Sequence, residues 1–344
     1  MQYRIAPIFV VLVLLFSSIA NPVRAQLSAV PDPVQYIVAP ETPGPNQTVY
    51  IEAQGVGPFI GNATITWRVN GKVVQSGIGL TTFSFTTGGI GSATAIQVTI
   101  ESTQGTYTQN FVFAPSVVRL VWEADTTTPL FYKGKSLYSA GSPLRVVAFP
   151  TIVSGKSLIP PNKLSFQWYR NDSLNTASSG LGKNVFVFNG DGLQTSEVVR
   201  VDVYLNGTKV GSGDVAIPAT NPGVVLYKQD PLRGILLDVA LPTNFNLNAN
   251  EITLKAEPYY FTSSSLTKGA LLYSWTLNGS DTSGPDSKKG LLTLRQTGSG
   301  SGSAQVGISV QNTAIDTLTQ AAQSLVGIVF GQSSGSTITS LFGL

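Results

Sequence analysis

Apolar and polar residues alternate in short runs along most of this chain. Residues 48–53 put Val49 and Ile51 on one face, and 82–86 do the same with Phe83 and Phe85. Residues 95–100 align Ile96, Val98 and Ile100, and 107–113 align Phe111 and Phe113. A period of two with one apolar face predicts half-buried antiparallel strands. Glycine-rich runs such as Thr87-Gly88-Gly89-Ile90-Gly91 separate them as turns. The same order returns over 118–124, 144–149, 164–169, 185–188, 198–204 and 209–217. It returns again over 224–228, 251–256, 271–277, 291–294 and 305–310.

The tryptophans mark the repeat. Three of the four stand in one motif: Ile65-Thr66-Trp67-Arg68-Val69-Asn70-Gly71, Phe166-Gln167-Trp168-Tyr169-Arg170-Asn171-Asp172 and Tyr273-Ser274-Trp275-Thr276-Leu277-Asn278-Gly279. They are 101 and 107 residues apart, the size of one β-sandwich. Each is followed by an anchor on the next strand (Phe85, Phe188, Leu294) after 18, 20 and 19 residues. The predicted fold is therefore all-β: three tandem antiparallel sandwiches over 26–116, 117–222 and 223–312. Ala114-Pro115 and the stretch from Pro218 to Pro222 form the boundaries, since proline removes a ladder donor.

The chain changes character after Asn312. Ile315, Leu318, Ala322, Leu325 and Val329 recur at spacings of 3, 4, 3 and 4, one apolar stripe of a helix. Asp316 would sit in its first turn, where it suits the helix dipole. A short C-terminal helix is predicted, a surface for a protein or membrane contact, followed by a Gly/Ser/Thr-rich segment to residue 344. At the other end, Arg4, the apolar run 8–16 and Val23-Arg24-Ala25 follow the order of a secretory signal peptide. Residues 1–25 are expected to be removed on export. An uncleaved segment would instead anchor the protein, although it falls short of the roughly 20 apolar residues of a span.

Composition narrows the chemistry. Charged residues make up 11%, against roughly 25% in ordinary globular proteins, so small polar residues cover the surface. The chain has no cysteine and no histidine. That excludes disulfides, Cys or His nucleophiles, Ser-His-Asp triads and zinc sites built from those residues. A net charge of +3 without a clustered basic face gives no support for a nucleic-acid partner.

Each candidate site has a plainer reading. Trp67, Trp168 and Trp275 are either core aromatics or sugar-stacking platforms, and their apolar neighbours favour core. Asn189-Gly190-Asp191-Gly192 offers oxygens to calcium but lacks the surrounding acidic series, so a tight turn fits better. Glu123 with Asp125, and Asp281 with Asp286, are carboxylate pairs that no spacing rule selects for glycoside hydrolysis. Five N-x-S/T sequons, at Asn46, Asn62, Asn171, Asn206 and Asn278, read first as turns. Lys133, Lys135 and Arg145 with Tyr132 and Tyr138 form a mildly basic aromatic stretch, either an anionic-partner contact or an ordinary hairpin. The run 298–303 lacks the lysine and helix start of a phosphate loop. No catalytic, cofactor-binding or metal residue is assigned, and no cofactor is expected.

The Trp-to-Asn-Gly motif, the Phe-x-Phe strand and the alternating valine strand resemble bacterial immunoglobulin-like and polycystic-kidney-disease-type surface domains, over residues 33–312. Residues 122–150 are also similar to secreted pilus-associated proteins of reduced-genome bacteria. The resemblance implies an exported, non-enzymatic envelope or surface protein whose partner is a protein or a glycan. A carbohydrate-binding array and a pilus-associated assembly component are the alternatives.

Overall fold

The computed structural model describes residues 34–331, apart from 56–57, 193, 299 and 315–319. The expected signal segment 1–25, the segment 332–344, and Ile315, Asp316 and Leu318 of the expected helix lie outside the described residues.

The first core lies between two sheets. Its strands are β1 (Val34–Ala39), β2 (Thr48–Gly55), β3 (Thr64–Val69), β4 (Lys72–Ile78), β5 (Thr82–Thr86), β6 (Thr94–Ser102) and β7 (Gly105–Phe113). They pair as β1-β2-β5 and β4-β3-β6-β7, antiparallel throughout. Val49, Ile51, Ile65, Trp67, Ile96, Val98 and Ile100 face inward and are buried. These are the alternate positions of β2, β3 and β6, as period-two side-chain placement requires.

The second core repeats that order. Its strands are β8 (Val117–Ala124), β9 (Pro143–Thr151), the two-residue pair β10 (Val153–Ser154) and β11 (Ser157–Leu158), β12 (Ser165–Arg170), β13 (Ser173–Leu181), β14 (Val185–Asn189), β15 (Ser196–Leu205) and β16 (Thr208–Pro218). The sheets are β8-β9-β14 and β13-β12-β15-β16.

The third core has β17 (Gly223–Asp230), β18 (Gly234–Ala240), β19 (Asn244–Leu247), β20 (Glu251–Tyr259), β21 (Leu271–Leu277), β22 (Ser280–Thr282), β23 (Leu291–Arg295), β24 (Gly302–Asn312) and β25 (Ala321–Phe330). Its sheets are β18-β17-β20-β23 and β19-β25-β24-β21-β22. Removing β18 and β19, which extend two edges, leaves the strand order of the other two cores. β19 runs parallel to β25, and the remaining pairs of both sheets are antiparallel.

The expectation of a C-terminal helix is corrected by β25. Residues 321–330 are a strand paired along its length with β24, from Gln311↔Ala321 to Gly302↔Phe330. Ala322, Val326 and Ile328 enter the core, while Leu325, placed on the predicted helical stripe, is 54% exposed. The physical reason is in β24. Without a neighbour its eleven residues would leave a long row of backbone donors and acceptors unpaired. Residues 321–330 also carry β-branched Val326, Ile328 and Val329, better suited to strand than helix, and a mid-segment Gly327 that disfavours a helix. The third core accordingly runs to residue 330 and not to 312.

Candidate functional site

Two local devices recur in every core. The first is the tryptophan. Trp67, Trp168 and Trp275 sit on β3, β12 and β21 and are at most 2% exposed, which removes them as sugar platforms. Each indole Nε1–H donates to a backbone carbonyl just before the facing strand of the opposite sheet: Leu80 at 2.8 Å, Lys183 at 2.8 Å and Ser287 at 3.3 Å. A buried indole needs such an acceptor.

The second device is the asparagine that ends the tryptophan strand. Asn70, Asn171 and Asn278 have φ of 49°, 47° and 52°, a left-handed conformation that asparagine tolerates. Their side-chain oxygens accept from the backbone N–H of Ala95 at 2.9 Å, Val198 at 3.0 Å and Gln305 at 2.8 Å. The sequons at Asn171 and Asn278 therefore lie in turns that use the amide structurally. Asn46 and Asn206 also have positive φ in turns, at 54° and 51°.

The second core carries an ion cluster that neither neighbour shares. Glu197 on β15 is fully buried, and its carboxylate accepts from Arg170 Nε at 2.8 Å and Nη2 at 2.7 Å. It also accepts from Tyr138 Oη at 3.2 Å and from the backbone N–H of Asp191 at 2.6 Å. Burial works against ionisation of Glu197. The Arg170 hydrogen bonds, the Asp191 N–H and the guanidinium charge outweigh it and hold the carboxyl below its ordinary range. Burial, followed by the nearby Glu197 charge, drives the Tyr138 phenol upward. The 189–192 loop is thus tied to a carboxylate already committed to arginine, and Gly190 N–H donates to Ser142 O at 3.0 Å.

The matching end of the third core is open. Leu277 precedes Asn278 as Arg170 precedes Asn171, and Ala304 precedes Gln305 as Glu197 precedes Val198. With apolar residues in place of the ion pair, Leu247, Leu277, Leu294, Ala304, Ile328 and Phe330 wall a cavity of about 400 Å³, with Gly298 and Gly300 at its rim.

The remaining candidates disperse. Glu123 pairs with Arg145 at 3.7 Å on the outer face of the second core, both well exposed. Asp286 pairs with Lys289 at 2.9 Å, and Asp281 stands opposite Thr276 in the β21–β22 ladder. Lys135 stacks over Trp122 at 3.2 Å and Tyr138 is buried, so the basic aromatic stretch is divided between packing and surface. Leu130 and Phe131 at its start are 68% and 72% exposed.

The polar groups most heavily used lie between the second and third cores. Gln320 is 2% exposed. Its Nε2 donates to Ser139 Oγ at 3.0 Å and Ala140 O at 3.1 Å, across the junction, and to Thr262 Oγ1 at 3.0 Å. Its Oε1 accepts from Thr262 N–H at 3.0 Å and Asn312 Nδ2 at 2.8 Å. Beside it, Thr127 exchanges backbone bonds with Phe261 and Tyr260 at 2.8 Å each, and Thr126 bridges Thr262. The first junction is lighter: Lys209 reaches Glu41 across it at 3.0 Å, while Asp202 of its own core holds it at 3.4 Å.

Sequence reasoning did not single out Gln320 or the Arg170–Glu197 pair. Gln320 falls one residue before β25, in a stretch read as helix, so its burial had no pattern to announce it. Glu197 was legible in principle as a charge standing in phase with the buried alternate positions Val199, Val201 and Val203.

No family model matches the chain, and no curated protein does. Solved structures that resemble it include a central fibronectin-III array of RIM-binding protein (13% identity, 88% of this chain and 98% of that one, TM-score 0.27). Another is the three N-terminal domains of the bacteriophage RB49 highly immunogenic outer capsid protein (12% identity, 87% and 98%, TM-score 0.24). A third is the I-band fragment I67-I69 from titin (11% identity, 87% and 99%, TM-score 0.20). The architecture described above rests on strand pairing and burial in this chain, not on these likenesses.

Proposed function

We propose that this chain is an exported, non-enzymatic surface or envelope protein built as a stiff spacer. Three sandwich modules, 26–116, 117–222 and 223–330, hold their loops at fixed separations for adhesion or assembly with a protein partner. The Gln320 network carries this reading. Tandem domains move relative to one another by default unless the interface restrains them. Here a buried side chain and a pair of backbone bonds restrain them. The conspicuous buried charges, Glu197 and Asp202, are engaged by Arg170, Arg200 and Lys209 in structural pairs. No helix among the described residues is long and apolar enough to cross a membrane.

Burial of Trp67, Trp168 and Trp275 removes the three repeated tryptophans from the carbohydrate-array alternative. The test of location is direct. Antibody labelling of intact cells of the native host, with intact-mass analysis of the recovered protein, should find it outside the cytosol and lacking residues 1–25. Recovery from the cytosol at full mass would overturn the proposal.

A further inference from the structure

The outward faces of the three short sheets differ. On the first core's shorter sheet Thr82, Ser84 and Thr86 of β5 face outward with Glu52 of β2, and Ile37 and Tyr50 stand singly among them at 46% and 41% exposure; on β20 of the third core Thr253, Lys255 and Glu257 face outward. The second core instead presents valine and phenylalanine. Val121 on β8 stands opposite Val147 on β9, which stands opposite Val185 on β14, one apolar row across the whole sheet. Phe149 lies on one side of that row and Val187 on the other. Val121, Phe149 and Val187 are 55%, 53% and 60% exposed. Water contact of that extent on adjoining apolar side chains marks an interaction surface.

The charges around the row select its partner. Arg119 stands opposite Phe149 on one side, and Glu123 stands opposite Arg145 on the other. We propose that a second copy of this chain covers this face, packed sheet on sheet about a twofold axis that runs along the Val121–Val147–Val185 row. A rotation about that axis keeps like strands over like strands and exchanges the two sides of the row. Arg119 of each copy then meets Glu123 of the other, twice over. Phe149 of each copy meets the other's Arg145 side, where Glu123, Arg145, Val185 and Val187 wall an open groove of about 500 Å³. The knob, the groove and the Arg119–Glu123 pairing are thus self-complementary, which an isologous contact requires, while Glu123 also keeps its pair with Arg145 of its own copy at 3.7 Å. Facing sheets pack about 10 Å apart with strands nearly aligned, compatible with this overlay. Three short strands fall below the roughly 800 Å² per partner of a standard interface, so the pairing is weak and concentration-dependent.

Sedimentation velocity of the full chain over rising concentration tests this. Reversible dimerisation is expected, weakened at least about tenfold by Arg119→Glu, which sets like charges against each other. Glu123→Arg should weaken it similarly, and the double exchange Arg119→Glu with Glu123→Arg should restore it. Phe149→Asp should abolish it. All three positions substituted lie on an outer sheet face, and circular dichroism would verify that each of the four variants is folded. A wild-type chain monomeric throughout the accessible range, or dimers indifferent to Phe149→Asp, would overturn the proposal. So would a double exchange that leaves the pairing as weak as the single changes.

Discussion

Trp168 and Lys183 are joined by a hydrogen bond of 2.8 Å, indole Nε1–H to backbone carbonyl, across the two sheets of the second core. The same bond joins Trp67 to Leu80 and Trp275 to Ser287. The tryptophan therefore both fills the core and fixes the chain entering the opposite sheet. Trp168→Ala should cost the second core about 3–5 kcal/mol. Trp168→Phe keeps most of the apolar volume but orphans the Lys183 carbonyl, costing about 1–3 kcal/mol. Urea denaturation would separate the two values, and a cost below about 0.5 kcal/mol for Trp168→Ala, the level of a surface change, would contradict the core role.

Arg170 is the sole basic side chain bonded to buried Glu197 among the described residues. Arg170→Met should destabilise the second core by about 3–5 kcal/mol, because it leaves a carboxylate buried without its partner. Arg170→Met combined with Glu197→Gln should recover part of that loss. The cluster also sets an acid limit. The folded-state value of Glu197 lies below its unfolded one, so its contribution is present above about pH 4.3 and is lost as pH falls through the folded value. Glu197→Gln should flatten that part of the stability profile in acid denaturation.

At alkaline pH the sign reverses. Burial, and then the charge of Glu257, pushes the Tyr273 phenol up to about 12, and Tyr138 and Tyr259 are raised further. Their stabilising contribution is complete below about pH 10, the unfolded value, and is lost as pH rises through the folded values. Thermal melts should hold steady to about pH 10 and then decline, in step with tyrosinate absorbance at the buried rings.

The repeat was legible because each core uses the same residues for the same constraint: tryptophan for the centre, asparagine for the left-handed turn, alternating valines for the next strand. The last strand of the third core, β25, was not. Val326 and Ile328 alternate as a strand should, but Ala322, Leu325 and Val329 also satisfy a helical stripe, and over ten residues both periods fit. What decides is β24, whose open edge no local window can see. The junction residues were illegible for a related reason, since Gln320 meets Ser139 across 181 positions of sequence.

Because β25 completes that sheet, a chain ended at Asn312 should lose the third core. Val306, Ile308 and Val310 would be exposed along one edge of the sandwich. Limited proteolysis and circular dichroism should show the third core unfolded and the other two intact. A chain ended at Asn312 that keeps all three cores would show that β25 is dispensable.

Stiffness between the second and third cores is tested most directly by one distance. The chain has no native cysteine, so Ser173→Cys and Ser280→Cys, both exposed, can be spin-labelled cleanly. Pulsed electron–electron double resonance should then give a single narrow distance distribution between them. Gln320→Ala, which removes the bonds to Ser139 and Ala140, should broaden it while circular dichroism stays unchanged. A broad distribution in the parent chain, unaltered by Gln320→Ala, would mean that the modules swing freely and that the spacer account is wrong.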